Sequence, residues 1–191
     1  MDVVSEFLPV TQVFEPESAD EICQLVRAAV EQATAIYPIG GGTSLNYGLP
    51  ARTDGIGISL RMMDQIVDYP APDMTITVGA GMTMARLNET LAEQGQRMPV
   101  DVPQRERATL GGVVATNPSG PRRYGYGTLR DYLIGIEAVD ARGEKFKGGG
   151  RVVKNVAGYD ICRLLIGSLG TLGIITQLTF KLRPVRLLLE A

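Results

Sequence analysis

The chain has 191 residues and a hydrophobic fraction of 45%, enough to bury the core of one ordinary domain or of two small subdomains, which excludes a disordered chain. It contains no histidine, which excludes a Ser-His-Asp triad, a Cys-His pair and an HExxH zinc site built from this chain alone. Net charge is −2, but residues 1–96 carry 4 Lys+Arg against 13 Asp+Glu while residues 97–191 carry 15 against 8, which implies a seam between the halves or an anion or partner on the basic side.

In chain order, Ser18 followed by Glu21 is a capping-box pattern, and Ile22, Leu25, Val26 and Ala29 recur at helical spacing, so a helix is predicted to about Glu31. A strand over Ala35–Ile39 runs directly into Gly40-Gly41-Gly42-Thr43-Ser44. Short strands follow over Gly57–Leu60, Gln65–Tyr69 and Met74–Val78, the last ending at Gly79-Ala80-Gly81. Thr83–Gln94 reads as a helix closed by Gly95 at the position after its cap. From Met98 the periodicity fades, punctuated by Pro99, Pro103, Pro118 and Pro121 and interrupted by Ala108–Ala115. Strand character resumes over Leu133–Val139, turns at Ala141–Glu144 into Lys145–Lys147, and is followed by a helix over Asp160–Ile166 and a strand over Ile174–Leu182. Strands and helices mix without regular βαβ spacing, so α+β is expected rather than a doubly wound sheet, with a division near residue 70 and no internal repeat.

Glycine is the compositional outlier, 23 residues of 191. Three successive glycines at 40–42 can take positive φ and turn consecutive N–H groups into one concavity, where the Thr43 and Ser44 hydroxyls would help to hold a pyrophosphate without a lysine. An ordinary wide turn is the competing reading. Neither a Walker loop nor a GxGxxG fingerprint is present, since Met84 stands where Gly79-Ala80-Gly81 would need its third glycine. In the second cluster, Thr109 to Gly120, small residues at Gly111, Gly112 and Ala115 would let a helix start approach a flat ring or an anion, or serve close packing alone. The third, Gly167-Ser168-Leu169-Gly170-Thr171-Leu172-Gly173, is also readable as a tight helix-to-strand turn. Cys23 and Cys162 are isolated and read as buried reduced thiols, giving no basis for an iron–sulfur or other metal site. No apolar run approaches a membrane span and no signal-like start is visible, so a soluble cytoplasmic setting is expected. Scattered basic residues with 6% aromatics argue against nucleic acid.

Taken in order, strand-GGGTS, Pro103 with ATLGG, Tyr126-Gly127 with Asp131, and GSLGTLGIIT resemble the PCMH-type FAD-binding domain of the vanillyl-alcohol oxidase superfamily over about residues 10–183. Ser119-Gly120-Pro121-Arg122-Arg123 and the block from Gly149 through Lys154-Asn155-Val156-Ala157-Gly158-Tyr159-Asp160 look like the FAD-binding subunit of bacterial glycolate oxidase. The resemblance implies an α+β fold of two subdomains, a small N-terminal α/β unit (1–70) and a larger unit with a mainly antiparallel sheet (71–191), with FAD lying between them. It implies that Gly40, Gly41, Gly42, Thr43 and Ser44 cradle the pyrophosphate. Pro103, Thr109, Gly111, Gly112, Ala115, Thr116 and Asn117 would line the flavin and ribityl side, Gly120, Tyr126 and Gly127 would come from the adjoining loop, and Gly173, Ile174 and Ile175 would meet the adenine end. Asn155 and Asp160 are open to a turn-capping reading, and Lys154 to a place near the cofactor's anionic portion; no catalytic residue is assigned.

Many members of that superfamily attach FAD through histidine, so FAD is expected to be noncovalent here. Full members continue into a cap domain over the flavin, expected to be absent from this chain together with the groups that orient a hydroxy acid and accept its proton. The implied function is the FAD-binding part of a glycolate-type 2-hydroxy-acid oxidoreductase, alone or with a catalytic flavin subunit and an iron–sulfur subunit. The alternatives are a non-catalytic FAD-holding relay or assembly subunit, and a flavin-free scaffold.

Overall fold

The computed structural model describes residues 3–150 and 159–185. Its elements are α1 (Val3–Phe7), β1 (Val10–Phe14), α2 (Ala19–Glu31), β2 (Ala35–Ile39), β3 (Gly55–Ser59), β4 (Ile66–Asp68), β5 (Thr75–Gly79), α3 (Met84–Ala92), β6 (Gln96–Arg97), α4 (Leu110–Thr116), α5 (Arg123–Tyr126), β7 (Leu133–Val139), β8 (Lys145–Gly149), α6 (Ile161–Leu165), β9 (Ile174–Lys181) and β10 (Arg183–Pro184).

The local signals account for most boundaries. Ser18 caps α2 by accepting from the Glu21 N–H at 3.3 Å, and Glu21 reaches back to the Glu17 N–H at 3.1 Å. Thr83 caps α3 through the Arg86 N–H at 3.2 Å. Asp160 caps α6 by accepting from the Arg163 N–H at 3.0 Å, which is the turn-capping reading of that residue. Lys154 and Asn155 lie outside the described residues.

Hydrogen bonding separates two main sheets. The first is parallel, in the order β1-β3-β2, with α2 as the crossover between β1 and β2. The second is antiparallel, in the order β4-β5-β9-β7-β8. The fold is thus α+β, with a small parallel unit followed by a mainly antiparallel one. β4 at Ile66–Asp68 pairs with β5, so the change of sheet falls between Ser59 and Ile66. A further short ladder joins β6 to β10.

The core runs continuously through both units. Phe180 near the end of β9 is fully buried between its register partners Ile76 and Leu133. Ile22 and Val26 of α2 belong to the same cluster as Ile58 of β3, Ile136 of β7 and Leu178 of β9. Helix α2 therefore packs on both β2 and β7. Its outer edge is tied to the β7–β8 turn, where Arg27 donates to the Gly143 carbonyl at 3.0 Å and Lys145 pairs with Asp20 at 2.9 Å. Among the described residues, no helix is long and apolar enough to cross a membrane.

Candidate functional site

A cavity of about 320 Å³ opens where the end of β2, the loop after it, the segment before α4, α4 itself and the start of β9 converge. Of the residues singled out from the sequence, it is lined by Gly40, Gly41, Gly42, Thr43, Ser44, Pro103, Thr109, Gly111, Gly112, Ala115, Thr116, Gly173 and Ile175. Segments more than a hundred residues apart in sequence are brought to one wall.

The loop at 40–44 is built by close approach. A Cβ on Gly41 would lie 1.7 Å from the Arg107 carbonyl oxygen, and one on Gly40 would lie 2.3 Å from the Thr109 hydroxyl. Only a residue without a side chain lets the two segments meet. The expectation of positive φ through all three glycines is corrected: within the cluster it holds at Gly42, whose φ is +69°, while Gly40 and Gly41 are glycine for lack of room. The backbone N–H groups of Gly41, Gly42, Thr43 and Ser44 donate no hydrogen bond among the described residues. Such a run of unsatisfied donors in a turn is an anion-binding concavity.

Packed against it, Thr109 precedes α4 in extended backbone, yet its hydroxyl caps nothing, and the oxygen is buried without a hydrogen-bond partner. The oxygen is covered by the Gly40 backbone, and a buried hydroxyl left without a partner is a cost that this close approach carries. Gly112 leaves α4 thin on this side, its nearest neighbour to a Cβ being the Thr109 hydroxyl at 3.4 Å. Gly111 instead answers to packing: a Cβ there would lie 2.9 Å from that of Ala80, and its N–H donates to the Ala80 carbonyl at 2.8 Å. At the far end of α4 the third cluster closes the wall, Gly167 and Leu169 donating to the carbonyls of Val114 and Ala115 at 3.0 and 2.9 Å.

Five of the expected residues lie outside the cavity lining. Ile174 is buried in β9 opposite Val139. Asn117 ends α4 in left-handed backbone, its side-chain oxygen buried without a partner. Gly120 packs against Asp101, which accepts from the Arg122 N–H at 2.9 Å and pairs with its guanidinium, and these contacts hold the Asp101 carboxyl below the usual carboxylate range. Gly127 ends α5 with a φ of +90° against Asp131, whose carboxyl is likewise lowered by the Thr128 N–H it accepts. Tyr126 stacks under Arg97, 4.8 Å from ring centroid to guanidinium carbon, and its hydroxyl accepts from Arg97 at 3.1 Å.

The sequence reading missed several residues of the wall. Tyr37 and Pro38 come from the second half of strand β2, and Gly170 sits on Pro38, 3.4 Å from where its Cβ would point. Tyr47 and Leu169 line the mouth and are 56% and 43% exposed, so the opening is apolar. The signal for Pro38 and Gly170 was present, since both adjoin clusters already identified.

The glycine-floored concavity and the thin helix face beside it fit a long cofactor with a diphosphate at its middle. A family profile described as FAD binding domain matches residues 10–149, and the chain belongs to that family, with FAD as its cofactor. The chain is 39% identical to D-2-hydroxyglutarate dehydrogenase of Xanthomonas citri pv. viticola over 87% of its own length and 35% of that relative's. It is 36% identical to glycolate oxidase subunit GlcD of Bacillus subtilis, covering 90% of this chain and 37% of the relative. Against glycolate oxidase subunit GlcE of Escherichia coli the identity is 33%, over 89% of this chain and 48% of the relative. A solved structure of alkyldihydroxyacetonephosphate synthase superposes with a TM-score of 0.76 at 29% identity, over 91% of this chain and 34% of that one. The chain thus spans about a third to a half of the length of the relatives it matches.

Proposed function

We propose that this chain is the FAD-holding part of a glycolate-type 2-hydroxy-acid oxidoreductase. The carrying observation is the run of four N–H groups at Gly41–Ser44 that donate no hydrogen bond among the described residues, in a loop that lines the cavity. In this reading Gly40–Ser44 hold the diphosphate, with Thr109, Gly112, Ala115, Thr116 and Pro103 toward the flavin, and Gly173 and Ile175 toward the adenine. When bound, FAD supplies hydride acceptance from the carbinol carbon of a hydroxy acid and passes electrons onward. The chain's own residues bind, orient and keep water from the cofactor. Asn117, Gly120, Tyr126 and Gly127 shape the neighbouring wall through the contacts described above.

Noncovalent attachment is supported by the absence of histidine and by the state of the thiols. Cys23 and Cys162 are both buried, and burial pushes the Cys162 thiol up to about 11, far from the thiolate that a covalent link would need. Two subdomains dividing near residue 70, a catalytic flavin subunit with an iron–sulfur subunit as partners, and a cytoplasmic setting complete the reading. Their support is the change of sheet between Ser59 and Ile66, the similarity to two glycolate oxidase subunits, and the reduced buried thiols.

The test is a visible absorption spectrum of the purified chain before and after FAD addition and desalting. Retained flavin bands that leave with the supernatant on acid precipitation are expected. Failure to take up FAD removes the reading, and yellow colour on the pellet removes the noncovalent part. Glycolate-dependent dye reduction by the chain alone would exclude a purely relay role.

A further inference from the structure

The short ladder of β6 and β10 sets Arg97 and Arg183 opposite each other as register partners. Like charges facing across an antiparallel pair repel, so such a pair costs stability unless something neutralises it. Among the described residues nothing does, since neither arginine makes an ion pair. Other arginines of the second half are spent on carboxylates, Arg122 on Asp101 and Arg163 on Asp160. Arg97 and Arg183 lie instead on tyrosines. The Arg97 guanidinium carbon stands 4.8 Å from the Tyr126 ring centroid, and that of Arg183 stands 5.9 Å from the same ring and 6.0 Å from the ring of Tyr132. This platform is fixed from beneath, because Tyr132 is buried and its hydroxyl donates to the Tyr126 carbonyl at 2.6 Å. Of the five donors on Arg97 one reaches the Tyr126 hydroxyl at 3.1 Å, while its Nε is buried with no acceptor. Arg183 is exposed and donates no side-chain hydrogen bond among the described residues.

We infer that Arg97 and Arg183 form a binding site for an oxyanion that presents two oxygens in one plane, a carboxylate or a phosphoryl group. A guanidinium laid on a ring spends its face there and keeps its N–H edge, and that edge matches two such oxygens with paired hydrogen bonds. Two guanidiniums on one tyrosine platform offer two permanent charges to a single anion. An anion bound there removes the repulsion across the β6–β10 pair, whose ladder continues in the Val185 N–H donating to the Gly95 carbonyl at 2.8 Å. Occupancy of the site therefore fastens β10 onto β6. None of Arg97, Tyr126, Tyr132 and Arg183 lines the cavity at the glycine loop, so the inference stands apart from the flavin reading.

The experiment follows thermal unfolding of the cofactor-free chain at fixed pH and ionic strength while sodium acetate or sodium phosphate replaces sodium chloride. At least one of the two is expected to raise the melting temperature saturably, by about 3 °C or more. Saturation with acetate marks the ligand as a carboxylate, and saturation with phosphate alone marks it as a phosphoryl group. In Arg183→Gln the midpoint of that rise should move to about tenfold higher anion concentration or beyond. Arg97→Lys, which keeps the charge and loses the planar fork, should weaken it less. Arg52→Gln, which removes an exposed charge just before β3, should respond as the unsubstituted chain does. In chloride alone Arg183→Gln should melt no lower, because the facing charges are relieved; a clear drop would make the pair a structural stack and overturn the inference. A rise that stays linear and equal in all four chains is the general effect of an excluded salt and overturns it as well, as does no rise at all.

Discussion

Two turns in this chain are rich in glycine for different reasons. At Gly40 and Gly41 the glycines avoid collision: the Arg107 carbonyl and the Thr109 hydroxyl come within 1.7 and 2.3 Å of where side chains on Gly41 and Gly40 would begin. At Gly167 there is room, the nearest atom to a Cβ being 3.7 Å away on Asn117, but φ is +79°. The first turn is a device for contact and the second a device for bending. The same residue type therefore predicts loss of a binding surface in one place and ordinary backbone strain in the other.

The sharpest way to break that contrast is Gly41→Val. The added carbons cannot coexist with the Arg107 carbonyl, so flavin occupancy after desalting should fall more than about a hundredfold while the circular dichroism of both sheets persists. Occupancy equal to that of the unsubstituted chain would reduce the loop to a plain turn. Next in size is Thr109→Val, which keeps the shape of the wall and removes its orphaned hydroxyl. Affinity for FAD, read by fluorescence titration, should drop about tenfold while the cofactor-free chain melts no lower, because an unsatisfied buried group is gone. A lower melting temperature with unchanged affinity would make the hydroxyl structural.

Gly167→Ala should cost about 1–2 kcal/mol in denaturant unfolding and leave FAD affinity within about threefold, the signature of left-handed backbone alone. Any larger loss of affinity would erase the distinction between the two turns. The smallest expected effect is on pH dependence. The Cys162 thiol has a folded value of about 11 against an ordinary 9.0, so its contribution to stability is full below pH 9 and is lost as pH rises toward 11. Thermal melts across that window should decline, and Cys162→Ala should flatten the decline.

Local chemistry was legible in the sequence wherever a residue acts on its near neighbours. Ser18 with Glu21, the strand over Ala35–Ile39 and the strand over Leu133–Val139 appear as read. Strand β1 escaped because its middle residues are exposed and carry no apolar alternation, its place being fixed by pairing with β3 more than forty residues later. Helix α4 was hinted at by small residues, but its seven residues offer too little periodicity to read. The cradle itself was visible as Gly-Gly-Gly-Thr-Ser. The reason for Gly41 was not, because it resides in Arg107, a residue that only the tertiary fold brings near. Tyr126 and Gly127 lie outside the cavity lining, where an arginine stack and a turn against Asp131, neither legible in the sequence, hold them.

Strand β9 occupies the middle of the five-stranded sheet, between β5 and β7, although it is the ninth of ten strands in chain order among the described residues. Gly173 just before it and Ile175 within it also line the cavity. During synthesis, then, strands β4, β5, β7 and β8 leave the ribosome as two separate hairpins with a gap between them. Neither hairpin can complete its hydrogen bonding until residues 174–181 emerge to fill it. The cavity wall to which Gly173 and Ile175 belong is completed by the same event, which ties the closing of the sheet and the shaping of the cavity to one late strand.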